Sequence, residues 1–283
     1  MDARRLKPTG ISVVLIHIIA LLALFQAEYS WWWVALALGS YFVRMFAITA
    51  GFHRYFAHKT FKTNRVFQFI LGFLGTASIQ RGPIWWAAVH RHHHRHSDTK
   101  ADVHSPVTKS FYQSHIGWVF DRAYKTVDLP AMKDLTRFPE LVWLDRYYLL
   151  PPMIYAAFFY LILGWQGVVW GMLVSTVFLW HGTFFVNSLT HVFGRRRFAT
   201  KDHSRNNWFV ALLTLGEGWH NNHHFYPGSV RQGFKWWEYD VSYYVLKALS
   251  WVGIVHTMKG ENVKHILARA TVNADLPQPR PVG

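Results

Sequence analysis

The chain has 283 residues, 51% hydrophobic and 18% aromatic but only 16% charged, and carries a net charge of +15. This excludes a disordered or nucleic-acid-binding tail, collagen and low-complexity sequence, and the shortfall from the ~25% charged residues of an average protein points to a surface that partly faces lipid. Cysteine is absent, which removes disulfides, thiolate metal sites, iron–sulfur clusters and cysteine nucleophiles.

Histidine, at 18, outnumbers Asp and Glu together at 15, so metal binding through nitrogen becomes the leading chemistry. The basic excess fits a membrane surface better than nucleic acid, because Lys and Arg alternate with long uncharged runs.

In chain order, Arg4, Arg5 and Lys7 precede a predicted membrane span at 11–26, read as retained rather than cleaved because no small-x-small site follows. A turn at 27–30, whose one charge is Glu28, leads to a second span at 31–51; its Arg44 either snorkels or pairs internally. The uncharged stretch 66–80 is too short for a full crossing and reads as a re-entrant or membrane-surface helix. Between 147 and 194 there is no Asp, Glu, Lys or Arg, which predicts spans at 147–164 and 167–190.

The expected fold is an all-α membrane protein with four transmembrane helices and a helical cap, in one domain covering 1–273 with a loose tail at 274–283. The cap comprises 52–146 and 195–270. These segments and the N-terminus hold nearly all the Lys and Arg, so both termini and the cap are expected to be cytoplasmic. The compact length suits a bacterial inner membrane.

Three histidine clusters follow membrane segments. His53 and His58 lie five residues apart, about 140° around an α-helix, so both reach one site only if the helix ends or bends there. His90, His93 and His94 share one helical face at i, i+3 and i+4, and His220, His223 and His224 repeat that spacing. Asn187 and His191 form an i, i+4 pair at the end of the fourth span.

Nine candidate imidazoles exceed the needs of one metal and suit a dinuclear site with room for dioxygen. Asp98, Asp102, Asp202 and Glu217 are candidate partners orienting the rings. His92, His96, His104 and His203 are read as supporting or surface residues. The isolated His17, His115, His181, His256 and His265 are read as interfacial or hydrogen-bonded.

The order His-x4-His, His-x2-His-His, Asn-x3-His, His-x2-His-His resembles the integral-membrane fatty acyl desaturases of the stearoyl-CoA desaturase type. The likeness covers about 35–245 and extends to Gly51-Phe-His-Arg-Tyr-Phe-Ala-His58, Ser114-His-Ile-Gly-Trp118, Asn187-Ser-Leu-Thr-His191 and Gly216-Glu-Gly-Trp-His-Asn-Asn-His-His224. It implies that His53, His58, His90, His93, His94, His191, His220, His223 and His224 hold two Fe2+ ions, with Asn187 acting through a water.

The resemblance further implies that Gln80, Trp86 and Thr183 shape the bend of an acyl tunnel, and that Asn206 and Asn207 belong to a shared segment of no derived role. The implied reaction uses O2 and electrons from a separate ferredoxin, rubredoxin or cytochrome b5-type donor to insert a cis double bond, usually delta-9. The substrate would be an acyl-CoA or acyl-lipid. Ala88-Val89 stand where animal acyl-CoA members carry Arg-Asp, a departure that bears on CoA recognition. Competing readings are a membrane di-iron hydroxylase or ketolase, a metal transporter, and a bis-His haem protein, which would leave seven imidazoles unexplained.

Overall fold

A computed structural model describes residues 10–121 and 130–272; the basic start of the chain and the expected tail at 274–283 lie outside the described residues. The fold is helical, with a single antiparallel pair of two-residue strands, Lys62–Thr63 and Val255–His256, among the described residues.

Helix α1 (Gly10–Leu24) matches the first apolar run. Helix α2 (Trp31–Ala57) starts where the Ser30 hydroxyl accepts from the Trp33 amide, and it runs 27 residues, six beyond the predicted end of the span. Arg44 is therefore mid-helix and does not snorkel. It is fully buried and donates to Thr176 Oγ1 (2.7 Å), Ser175 Oγ (2.5 Å) and the Ala77 carbonyl (3.2 Å), an internal pairing that ties three segments together.

Helix α3 (Arg65–Thr76), capped by Asn64, covers the stretch read as re-entrant and packs along the later part of α2. Their contact is close because Gly75 leaves room for the Phe52 ring: a Cβ there would sit 2.6 Å from Phe52 Cδ1. Helix α4 (Pro83–His96) begins with proline, whose missing N–H costs nothing in the first turn. Its free amides at Ile84 and Trp85 donate to Asp145 (2.7 and 3.0 Å), and burial raises the Asp145 carboxyl to about 7. Helix α5 (Phe111–His115) and helix α6 (Pro139–Arg146), which carries Asp145, belong to the same half of the cap, with short turns of helix between them.

Helix α7 (Leu150–Gly167) breaks at Gly164, whose φ of 62° and ψ of −155° are open to glycine alone. The chain then folds back, so that Gly171 lies against the Phe159 ring, and continues through a widely wound stretch, Val168–Val174, into α8 (Ser175–Val192). The turns at 27–30 and 164–167 sit side by side: the Glu28 amide donates to Gln166 Oε1 (3.0 Å), and Trp170 Nε1 donates to the Glu28 carbonyl (3.0 Å).

The rest of the cap is α9 (Trp208–Leu213), α10 (His220–Phe225), α11 (Val241–Trp251) and α12 (Val263–Val272). Two stretches, Trp31–Ala57 and Leu150–Val192, are long and apolar enough to cross a membrane; Gly10–Leu24 is shorter. The exposure of Leu22 and Phe25 on one helical hairpin, and of Leu161 and Ile162 on the other, gives the chain the apolar outer surface of a membrane-associated protein.

Replacing Arg44 with Ala removes its hydrogen bonds to two hydroxyls and a carbonyl and leaves a cavity in the core, and should destabilise the protein by roughly 3 kcal/mol. Thermal unfolding in detergent checks this; an unchanged midpoint would show that the buried guanidinium does not brace the helices.

Candidate metal centre

The part of α2 from Ala47 to Ala57 is wound as a π-helix, and this brings its two histidines together. The His58 amide donates to the His53 carbonyl five residues back (3.1 Å), so residues five apart stack on one side. The rings lie 4.8 Å apart, and the helix ends at once, with Lys59 at a φ of 55°. The bend or end required by the spacing is thus met by wider winding followed by termination.

Helix α4 presents His90, His93 and His94, and the short α10 presents His220, His223 and His224. Helix α8 delivers His191. Nitrogens of His53, His58, His90, His94 and His223 all lie within 4.8 Å of one another, and those of His93, His191, His220 and His224 form a second such group. The groups abut: the His94 and His224 rings stack 4.5 Å apart. All nine rings of the sequence-derived set are brought together.

Each group is oriented by carboxylates behind it. Nδ1 of His53 meets Glu217 (2.5 Å), Nδ1 of His93 donates to Asp102 (3.0 Å), Nδ1 of His191 to Asp98 (2.9 Å) and Nδ1 of His224 to Asp202 (2.7 Å). Burial acts to raise these acids, but the imidazoles beside them, joined by Arg54 at Glu217, outweigh it and hold all four below the usual carboxylate range. An ionised carboxylate only accepts, so it favours, in the neutral ring beside it, the form with the proton on Nδ1 and the Nε2 lone pair turned inward.

The inward nitrogens are crowded beyond what hydrogen bonds can satisfy. His223 Nε2 lies 3.0 Å from His53 Nε2 and 2.9 Å from His94 Nε2, yet a single N–H bridges only one such contact. His224 Nε2 is buried with no hydrogen-bond partner. A cation between the lone pairs resolves both features, and an all-nitrogen donor set fits a divalent transition metal such as iron.

Several supports were not legible as such. Asn206 and Asn222 bond reciprocally (Nδ2 to Oδ1, 2.7 Å; Oδ1 from the amide, 3.1 Å) and lock α10 in place, while Asn207 caps α9. Arg54, fully buried, joins Glu217 (2.9 Å) to Asp240 (2.9 Å). His104, already read from the sequence as a supporting or surface residue, lies against Asp102 (3.3 Å) and faces the His93 ring. His17, His181 and His115 do not join the centre but form a hydrogen-bonded row of their own (3.2 and 2.9 Å).

Beside the first group, Trp86 Nε1 donates to Gln80 Oε1 (3.4 Å) and Gln80 Nε2 donates to Thr183 Oγ1 (3.0 Å). This trio stands where two cavities adjoin. One, of about 50 Å³, is walled by His90, Asn187 and Thr183; the other, of about 190 Å³, by Trp85, Trp118, Trp180 and Phe184. The Asn187 carbonyl accepts from Ser114 Oγ (3.0 Å), which fixes that end of α8 to α5.

Changing Asp202 to Asn removes the charge behind His224 and should weaken metal binding about 10- to 100-fold; metal titration of the stripped protein checks it, and an unaltered affinity would deny the carboxylate this role. Burial and the neighbouring imidazoles lower His58, His90, His94, His220 and His223 well below the ordinary histidine value. The unfolded chain then binds more protons as pH falls through about 6.5, so the metal-free protein loses stability there. The depressed carboxylates keep their contribution until pH falls below about 4. Melting of stripped protein between about pH 8 and pH 5.5 should show the midpoint dropping; a flat profile would contradict burial of neutral rings.

The sequence profile of the fatty acid desaturase family matches residues 30–258. The chain is 39% identical over 252 residues to the sn-1 stearoyl-lipid 9-desaturase of Synechocystis, covering 86% of this chain and 77% of that protein. It is 37% identical over 253 residues to acyl-CoA 5-desaturase AL21 of Anemone leveillei (88% and 78% covered), and 39% over 255 to the chloroplastic palmitoyl-monogalactosyldiacylglycerol delta-7 desaturase of Arabidopsis thaliana (88% and 68%). Similarity of this extent, over a chain whose histidines converge as described, makes the protein an oxidoreductase of the fatty acid desaturase family.

Proposed function

We propose that the protein uses O2 to introduce a cis double bond, at delta-9, into a saturated acyl chain carried on a lipid or on CoA. In balance, two adjacent methylenes lose two hydrogens, and these, with O2, two electrons and two protons, give the alkene and two waters. The electrons come from a separate ferredoxin, rubredoxin or cytochrome b5-type protein. The observation that carries this reading is the placement of nine imidazole nitrogens, in two adjoining groups, next to a small cavity walled by His90 that adjoins a larger aromatic one.

His53, His58, His90, His94 and His223 would hold one Fe2+ and His93, His191, His220 and His224 the other, with Asn187 acting through a water. When bound, the irons supply the O2 and redox chemistry that an unactivated methylene needs, since it offers no handle for acid or base. The chain's own residues do the rest. Asp98, Asp102, Asp202 and Glu217 keep the ring protons on the outer nitrogens. Gln80, Trp86 and Thr183, joined by hydrogen bonds, set which carbons face the centre. The tryptophan walls exclude water from the alkyl path.

The helices α1, α2, α7 and α8 are taken as four crossings, with both termini and the cap on the cytoplasmic side of a bacterial inner membrane. Support comes from the adjacent turns at 27–30 and 164–167, which contain no Lys or Arg.

Gas chromatography of lipids from a host expressing the protein with a suitable reductase should reveal a new cis-monoene, and a hydroxylated product without an alkene would reject the assignment. His93→Ala or His223→Ala should abolish product and lower iron content. Trp86→Ala or Thr183→Ala should shift the double-bond position or chain-length preference by at least a factor of about ten while iron stays bound; unchanged selectivity in both would remove the trio from substrate positioning. Because imidazole sites favour zinc over ferrous iron, the iron content of each preparation must be measured beside its activity.

A further inference from the structure

We infer that the face of the cap over the four-ring group, carried by Arg95, Lys100 and Lys201, is where an acidic electron-carrier protein docks, so that electrons enter on the side of His93, His191 and His224. The inference rests on the desaturase reading and places the partner's contact within it.

The two groups of rings are backed differently. Behind the five-ring group, Glu217 leads to Arg54 and Asp240, whose side chains are wholly buried, so that wall is deep. Behind the four-ring group the backing reaches the surface within one or two residues. Asp98 grips His191 and Asp102 grips His93, with the exposed Thr99, Lys100 and Ala101 between the two acids. Asp202 grips His224 and directly follows the exposed Lys201. The two segments adjoin, since the His203 amide donates to the Asp98 carboxylate (2.7 Å).

Charge is sorted by sign across this thin wall. The side chains of Asp98, Asp102 and Asp202 turn inward and are 3%, 0% and 11% exposed. Arg95, in the last turn of α4, is exposed like Lys100 and Lys201, and none of the three forms an ion pair among the described residues. Beside the five-ring group the cations are instead engaged: Lys59, which follows His58, and Arg91 both pair with Asp134 (2.8 Å each). Unpaired positive charge outside, with the acids held inside, draws an acidic protein from solution and orients it before contact.

The proposed reaction takes two electrons per double bond, so a one-electron carrier docks twice and leaves oxidised each time. Such exchange needs a short path and a weak contact. From Lys100 the path is the Asp98 side chain and its hydrogen bond from His191 (2.9 Å); from Lys201 it is the Asp202 side chain and its bond from His224 (2.7 Å). Both paths end on rings of the same group. Neither cavity beside the centre is lined by Arg95, Lys100 or Lys201, so this face offers contact to a protein surface rather than enclosure to a small reductant. The small cavity is walled by His90, a ring of the other group, and the carrier and the alkyl chain therefore approach different groups of rings.

The test uses the full iron-loaded chain in detergent and two acidic carriers, a plant-type ferredoxin and the soluble domain of a cytochrome b5. Surface plasmon resonance should show binding of at least one, weakening about tenfold as salt rises from about 20 to about 200 mM. Arg95→Glu, Lys100→Glu and Lys201→Glu combined should weaken it at least about tenfold at low salt, and Lys100→Gln with Lys201→Gln about threefold, whereas Lys62→Glu, on the strand pair, should leave it unchanged. Carbodiimide coupling, which joins lysine to carboxylate, should fall on Lys100 or Lys201. Four results would overturn the inference: binding of neither carrier, undiminished affinity in both multiply substituted proteins, equal loss with Lys62→Glu, or coupling confined to other lysines. Binding and coupling need no turnover, so alkene formation from a stearoyl lipid by the wild type supplied with reduced carrier tests the desaturase reading separately.

Discussion

The structure is organised around the need to keep many uncharged nitrogen lone pairs pointed at one another inside protein. Left alone, such lone pairs repel and lack hydrogen-bond partners, and burying them is costly. The chain meets this from behind, with Glu217, Asp98, Asp102 and Asp202 each gripping an outer ring nitrogen. Those carboxylates are themselves anchored: Glu217 by Arg54, Asp98 by Ser105 Oγ and the His203 amide, Asp202 by Ser204. The rings are thus held in a strained electrostatic arrangement that a pair of cations would relieve, and the proposed irons fill that role. The metal would then supply folding energy as well as chemistry.

The apolar helices serve the same purpose at longer range. Helix α2 carries His53 and His58 at its end, α8 carries His191, and Arg44 bonds one to the other through Ser175 and Thr176. The placement of the first histidine pair relative to His191 therefore depends on a buried cross-link well away from both. Helix α4 is fixed at its other end by Asp145, so the segment bearing His90, His93 and His94 is clamped from its first turn to its last.

How much of this could be read beforehand follows from the range of each signal. The arrays at 90–94 and 220–224 were plain because helical spacing is local: i, i+3 and i+4 share a face whatever the tertiary fold. The pair His53 and His58 was a puzzle at α-helical pitch, and its solution, π winding over Ala47–Ala57, has no local sequence signal. The division of nine rings into five and four depends on how α2, α4, α8 and α10 pack, and was not readable at all. The four acids were identified by nearness along the chain, yet Asp98 serves His191 and Glu217 serves His53, partners supplied by distant segments. The apolar runs located the helices, while the length of α2 beyond the expected span, and with it the burial of Arg44, came from packing against α3 and α8.

Iron K-edge X-ray absorption on iron-loaded protein, with the metal counted per chain, bears on the whole arrangement at once. Two irons per chain, each with a shell dominated by imidazole nitrogen, are expected from the five- and four-ring groups. One iron per chain, or a shell dominated by carboxylate oxygen, would contradict it.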